Sequence, residues 1–134
     1  QAEDGIRDCL LSRGLGDVYK RQGKTYIDKA LDIANPQPAK AAETLTFGDG
    51  VGLFDRVFLA TEPETLLHVG TGAAVAVENT AGWTDTVVWN PHETLPGEMW
   101  KQFVCVESAV ASTPVTLEPE KVWKAETNLS VVNL

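Results

Sequence analysis

Residues Lys121–Val132 read KVWKAETNLSVV, and the alternation in this stretch decides the fold class. One set of alternate positions is mostly apolar, and the other is polar. The first set is Trp123, Ala125, Thr127, Leu129 and Val131, and the second is Lys124, Glu126, Asn128 and Ser130. Because successive side chains of a strand point to opposite faces, this period of two predicts a strand with one buried and one solvated face.

Short β-prone runs recur along the rest of the chain, separated by turn signals. These runs are Thr44–Phe47, Arg56–Thr61, Leu66–Val69, Ala73–Glu78, Asp85–Trp89 and Phe103–Val110. Gly70–Gly72 predicts a hairpin turn between two of them, and Asn90-Pro91 predicts a strand end. The helix candidate, Asp28–Ile33, is too short to be stable alone. We therefore predict an all-β protein, an antiparallel sandwich or barrel.

Composition excludes several classes of partner. The chain has 134 residues, of which 43% are hydrophobic and 22% charged, as in a single globular domain. Its 11 basic and 19 acidic residues give a net charge of −8, which argues against nucleic acid and anionic membranes as partners. Neither a membrane-spanning run nor a secretory signal is visible. The two cysteines, Cys9 and Cys105, match no disulfide framework or metal site, so we expect a reducing, cytoplasmic location and no metal.

The first 22 residues differ from the rest. Gln1–Gln22 contains four acids and four bases, so the whole net charge lies in the remaining 112 residues. It has no sustained periodicity, and it resembles a translated sequencing-adapter read. The alternative is a short native helix, Ile6–Leu11. We expect residues 1–22 to be non-native or disordered, and the folded domain to comprise residues 23–134.

Glu107 is the first candidate for catalysis. It ends the run Phe103–Glu107, and in a strand it shares a face with Phe103 and Cys105. A carboxylate beside these side chains would be partly desolvated, which suits a general base. The alternative is a glutamate at a strand end that points into water.

Asp55, Trp89 and Asn90 are candidates for ligand binding because each lies at a strand end, where sandwiches and barrels place binding groups. The indole of Trp89 could stack on a sugar face, and the amide of Asn90 could bond to hydroxyls. The alternatives are a turn aspartate, a core tryptophan and a turn asparagine. The two histidines, His68 and His92, have no metal-ligand spacing.

Four motifs, taken in order, resemble the glucose-6-phosphate 1-epimerases, or hexose-6-phosphate mutarotases, of the aldose 1-epimerase superfamily. Tyr26–Lys29 resembles their Y-x-D-K motif, and Asp55–Phe58 is similar to D-R-[IV]-Y with Phe in the last position. Val87–Pro91 resembles V-V-W-N-P, and Phe103–Glu107 resembles [FM]-V-C-V-E. The resemblance covers the C-terminal part of the family's chain.

The resemblance implies a galactose-mutarotase-like β-supersandwich that interconverts the α and β anomers of a hexose 6-phosphate. It makes Glu107 the general base and Asp55 a ligand of substrate hydroxyls. It also implies an isomerase that needs no cofactor, because only protons move, and a monomeric parent protein. The family's acid histidine and phosphate-binding arginines lie upstream of the matched region, and Gln1–Gln22 contains no histidine. The chain is then an incomplete fragment, inactive alone. The alternatives are a non-catalytic carbohydrate-binding sandwich and a purely structural module.

Overall fold

The chain folds into two antiparallel sheets. The computed structural model describes residues 9–10, 17–19, 25–39, 45–46, 52–61, 64–68 and 72–133. The strands are β1 (Cys9–Leu10), β2 (Asp17–Tyr19), β3 (Thr25–Asp28), β4 (Asp32–Pro38), β5 (Leu45–Thr46), β6 (Phe54–Phe58), β7 (Glu64–His68), β8 (Ala73–Ala81), β9 (Asp85–Asn90), β10 (Val104–Ala109) and β11 (Glu126–Asn133). One sheet has the order β1-β10-β9-β6-β3-β4, and the other has the order β11-β8-β7-β2-β5. Two short 3-10 helices, His92–Thr94 and Met99–Gln102, lie in the connection between β9 and β10. The predicted all-β antiparallel sandwich is confirmed.

The core lies between the two sheets. The buried apolar cluster takes residues from both of them: Phe54, Phe58, Val88, Val104 and Val106 from the six-stranded sheet, and Leu45, Leu67 and Val77 from the five-stranded one. Burying a side chain of this size stabilises the fold by about 1.5–3 kcal/mol. The cluster therefore defines an inner face for each sheet, and alternation places the intervening residues on the outer faces.

Most predicted strands are present, with bounds shifted by one to a few residues. The predicted hairpin is also present, because β7 pairs with β8 from His68↔Ala74 onward. Its residues 69–71 lie outside the described residues. The strand expected around residues 44–47 is described only at Leu45–Thr46.

The helix candidate Asp28–Ile33, too short to be stable alone, does not form. Asp28 ends β3, and its Oδ1 atom accepts hydrogen bonds from the backbone N–H groups of Ala30 at 3.1 Å and Leu31 at 3.0 Å. These bonds close a tight turn into β4, which starts at Asp32. Aspartate stabilises such turns by offering the backbone a local acceptor, and that preference outweighs the weak helical pattern.

The last strand is real, but its apolar face is uncovered. Strand β11 pairs with β8, so that Leu129 lies beside Val77 and Val131 beside Val75, on the inner side of the sheet. Val131 is nevertheless 74% exposed, and β11 is an edge strand of its sheet. The predicted strand is therefore confirmed from Glu126 onward but not for residues 121–125, and the predicted burial of its apolar face is wrong at Leu129 and Val131.

The predicted N-terminal segment, residues 1–22, and the alternative helix within it fall largely outside the described residues. Within residues 1–22 only Cys9–Leu10 and Asp17–Tyr19 are described, both as short strands. A helix over Ile6–Leu11 does not fit the strand at Cys9–Leu10. The expectation that this segment is non-native stays a prediction.

Candidate functional site

Three of the predicted site residues share the outer face of the six-stranded sheet. Asp55 on β6 pairs with Trp89 on the neighbouring β9, and Trp89 also pairs with Cys105 on β10. Glu107 lies two residues beyond Cys105 and pairs with Val87. Since Val88 and Val106 on these strands belong to the core, alternation turns Asp55, Trp89 and Glu107 away from it. Strand spacing and rise put the Cα atoms of Asp55 and Glu107 about 12 Å apart on this face.

Glu107 is exposed, contrary to the expected desolvation. The residues before it in β10, Val104, Cys105 and Val106, are all buried, whereas Glu107 projects into solvent. Its carboxylate makes no hydrogen bond or ion pair with another described residue. Cys105, on the same face of the strand, is buried although Glu107 is not. The lone pairs of the Glu107 carboxylate are therefore available to accept a proton from a ligand on this face.

Asp55 is mostly buried, and it is held by Lys29, the residue that follows β3. Its side chain is 19% exposed, and its Oδ2 atom lies 3.2 Å from the ammonium Nζ of Lys29. The two residues are also joined through the backbone, because Lys29 N–H donates to the carbonyl oxygen of Asp55 at 2.8 Å. Asp55 is thus a fixed acceptor on the same face as Glu107.

Trp89 lies between the two carboxylates in the sheet. It is half-buried, and its ring packs against Phe103 with centroids 6.0 Å apart and an interplanar angle of 47°. Phe103 is the residue that leads into β10. The aromatic pair therefore supplies an apolar surface beside the two acids. Of the two residues, Trp89 is predicted from the sequence to stack on a sugar.

Asn90 is in the interior, where its side-chain amide makes hydrogen bonds within the protein. It is 2% exposed. Its Nδ2 donates to the carbonyl oxygens of Trp100 at 2.9 Å and Phe103 at 2.7 Å, and its Oδ1 accepts from the N–H of His92 at 3.0 Å. The geometry therefore disfavours the predicted direct contact with a sugar. Asn90 instead ties down the connection that leads from β9 to β10.

His92 and Trp100 pack together within that connection. Their ring centroids are 4.1 Å apart, and Trp100 is buried. The Nε2 atom of His92 is buried without a hydrogen-bond partner among the described residues. This packing gives His92 a structural role.

Asp85, the first residue of β9, is a completely buried carboxylate. In the sequence it is recognised only as the first residue of a strand. It accepts hydrogen bonds from the N–H groups of Ala60 at 2.8 Å, Ala111 at 2.6 Å and Ser112 at 2.7 Å, and from the hydroxyl of Ser112 at 2.8 Å. Burial by itself raises the pKa of Asp85, but these bonds outweigh it and hold the pKa below its ordinary value. Asp85 joins two loops at the far end of β9 from Trp89.

Sequence reasoning also missed Lys29 as a member of the site. The signal was present, since Lys29 ends the first of the four motifs, but its proximity to Asp55 depends on β3 lying next to β6. Within the described part of the chain, no group of three or more His, Cys, Asp or Glu side chains could hold a metal ion. None of the described helices is long and apolar enough to cross a membrane.

The arrangement offers two carboxylates with different surroundings and an aromatic pair on the same face, next to Asp55. Asp55 is held by Lys29, while Glu107 is exposed and has no partner among the described residues. Polyhydroxylated ligands suit such a face, because hydroxyls donate to carboxylates and the C–H face of a sugar ring packs on an indole.

Comparisons with known proteins point to one family, although no family model matches the chain. Over 85 residues, 58% of the chain, it is 31% identical to a "Putative glucose-6-phosphate 1-epimerase" of Cenchrus ciliaris. Its fold matches a crystal structure described as "a putative mutarotase (YeaD)" from Salmonella typhimurium, with a TM-score of 0.72, 24% identity and 89% of the chain covered.

The chain spans about a quarter of that relative and two fifths of that solved structure, the matched shares being 26% and 41%. The four motifs, the sequence match and the fold agree with one another. The resemblance of this chain to the glucose-6-phosphate 1-epimerases is therefore confirmed over a segment that corresponds to part of those proteins, and its fold is that of the matched solved structure.

Proposed function

We propose that the longer protein to which this segment corresponds interconverts the α and β anomers of a hexose 6-phosphate. The observation that carries the proposal is the common face of Asp55, Trp89 and Glu107, within a segment similar to a protein named as a glucose-6-phosphate 1-epimerase. The three residues come from three of the motifs. Their convergence supports a single site.

In this proposal Glu107 is the general base. Its carboxylate removes the proton from the C1 hydroxyl while an acid protonates the ring oxygen, so that the ring opens to the aldehyde. Rotation about the C1–C2 bond and reversal of both proton transfers give the other anomer, with no net gain or loss of protons. The exposed carboxylate of Glu107 has no competing partner among the described residues, which supports this role.

Asp55 and Trp89 hold the sugar in place. Asp55 accepts hydrogen bonds from ring hydroxyls, and Trp89 packs against the ring. Asn90 contributes indirectly, because it fixes the connection that carries Phe103, the packing partner of Trp89. In this proposal the acid and the phosphate-binding groups come from the part of the family's chain that lies upstream of the matched region, and we expect this segment alone to be inactive.

A non-catalytic carbohydrate-binding module is the second candidate. Two observations favour it. Glu107 is exposed instead of desolvated, and the described strands of the six-stranded sheet carry no histidine that could act as an acid. Sugar binding without anomer exchange would support this candidate.

Magnetisation-exchange NMR of the parent protein separates the two candidates. The C1 protons of the two anomers of glucose 6-phosphate give separate signals, so exchange between them reports anomerisation directly. We expect the parent to accelerate exchange above the buffer rate, and to act less on unphosphorylated glucose. No acceleration with any aldohexose 6-phosphate would refute the proposed function.

A further inference from the structure

The strongest unassigned feature of the site is the lysine beside Asp55. Lys29 Nζ lies 3.2 Å from Asp55 Oδ2, and Lys29 is 46% exposed. An ammonium group has three donors, and this single contact leaves donors directed to solvent on the same side of the sheet. The ammonium therefore borders the face that carries Trp89 and Glu107.

The backbone position of Lys29 is fixed by contacts that do not involve its side chain. The preceding Asp28 is buried; its Oδ1 closes the turn onto Ala30 and Leu31, and its Oδ2 accepts from Nε of Arg56 at 2.9 Å. Lys29 N–H is bonded to the Asp55 carbonyl. The position of Lys29 relative to Asp55 is therefore set by the fold, while its ammonium stays accessible.

We propose that Lys29 and Asp55 act as one unit that binds two adjacent hydroxyls of the sugar, the carboxylate accepting and the ammonium donating. A carboxylate only accepts hydrogen bonds and an ammonium only donates them, whereas each sugar hydroxyl does both. The ion pair thus presents the acceptor and the donor that neighbouring hydroxyls require. Lys29 also orients Asp55, because it occupies one of the carboxylate oxygens. The inference rests on the proposed function and names a binding residue for it.

Ordinary surface electrostatics predicts something different. A half-exposed ion pair contributes roughly 0–1 kcal/mol to stability. If the role of Lys29 were purely structural, its removal would therefore change stability and sugar affinity little. A sugar-binding Lys29 changes affinity for the sugar while leaving the fold intact. The two roles are therefore separable by experiment.

The test measures anomerisation of glucose 6-phosphate by the parent protein and by its Lys29→Met, Lys29→Arg and Asp55→Asn variants, together with the double variant. We expect Lys29→Met to raise KM about tenfold, the size of one lost charged hydrogen bond, with a smaller effect on kcat. Lys29→Arg should recover most of the loss. Because the two residues act together, the double variant should be little worse than the more impaired single variant.

Lys101→Met is the matched control. Lys101 is 40% exposed and pairs with Glu98 at 2.6 Å, so the variant removes a comparable exposed ion pair at another place. It should leave KM unchanged. Thermal unfolding of each variant shows whether it is folded.

A Lys29→Met protein within twofold of wild type in KM, or losses that add in the double variant, would overturn the inference and leave the proposed function standing. If the wild type does not anomerise the sugar, the proposed function fails separately. NMR titration with glucose 6-phosphate then decides the role of Lys29, since weaker binding by Lys29→Met supports it and equal binding contradicts it.

Discussion

Replacing Asp85 by asparagine in the parent protein should destabilise it strongly, although the side chain keeps its shape. The carboxylate accepts three backbone N–H groups, from Ala60, Ala111 and Ser112, and it is fully buried. An amide has one acceptor oxygen and turns its NH2 group toward backbone donors. At least one N–H then loses its acceptor.

The magnitude follows from these contacts. Each buried N–H left without an acceptor costs about 1–3 kcal/mol. Water can reach some of these loop amides, because Ala60, Ala111 and Ser112 are themselves exposed, so we expect a total near 2–3 kcal/mol. Ala60 adds to the effect, since its φ of 48° is unfavourable for a residue with a side chain and its N–H is held by Asp85.

The loss should also depend on pH. The pKa of Asp85 is held below its ordinary value, so the unfolded chain takes up this proton before the folded one does. The stabilisation from Asp85 is therefore complete above a pH of about 4, the value for an unperturbed aspartate, and declines as pH falls through the lower folded pKa. The Asp85→Asn protein should lack this component of the acid-induced decline.

Urea unfolding of the parent and variant at neutral pH, repeated down to acid pH, measures both effects. Hydrogen exchange of the amides at positions 60, 111 and 112 localises them. Asp32→Asn is the matched control, because Asp32 also accepts from two backbone N–H groups, at Ala34 and Asn35, but is only half-buried and makes these bonds at the surface. A change in unfolding free energy below 0.5 kcal/mol for Asp85→Asn, or one equal to the control, would refute the reasoning (about 0.5 kcal/mol is the usual range for inert surface changes).

Three further results are expected. The isolated chain should self-associate in size-exclusion chromatography with light scattering, and Val131→Lys should reduce this, because edge strand β11 exposes apolar side chains; a monomeric wild type would contradict it. Gly82→Ala should destabilise more than Gly72→Ala in thermal unfolding, since both have positive φ but only the Gly82 methyl would collide with the Lys124 carbonyl; equal effects would argue against the packing. Asn90→Ala should cost about 2–4 kcal/mol of stability, because three hydrogen bonds are lost, and should speed exchange of amides in residues 91–103; weaker sugar binding with unchanged stability would instead favour direct contact.

The sequence predicts much of the fold because strand signals are local. Alternation around Leu129 and the turn at Asn90-Pro91 identify β11 and the end of β9 without knowledge of the partner strands. Burial is a property of the whole sheet order, which is why Val131 is exposed although its position in the pattern is apolar. The helix candidate at Asp28 forms a turn for a local reason, since one side-chain acceptor competes with a very short helical pattern.

The candidate site is predictable to a smaller extent. Parity within a strand shows that Glu107 and Cys105 share a face, but not that Trp89 and Asp55 lie across from them, which depends on the order of β10, β9 and β6. The role of Asn90 depends on carbonyls ten and thirteen positions later, and such contacts leave no periodic signal. Proximity of Lys29 and Asp55 likewise arises only when β3, which Lys29 follows, pairs with β6.

The central claim is that Glu107 removes the anomeric proton, and the Glu107→Gln variant of the parent protein tests it most directly. The measurement is the anomer exchange rate of glucose 6-phosphate under saturation, alongside the affinity for the same sugar, with Glu98→Gln as a control on a second exposed glutamate. The account predicts that Glu107→Gln lowers the exchange rate at least a hundredfold, the lower range for general-base catalysis, while affinity changes little and the control behaves as wild type. An exchange rate for Glu107→Gln within a few-fold of wild type would contradict it.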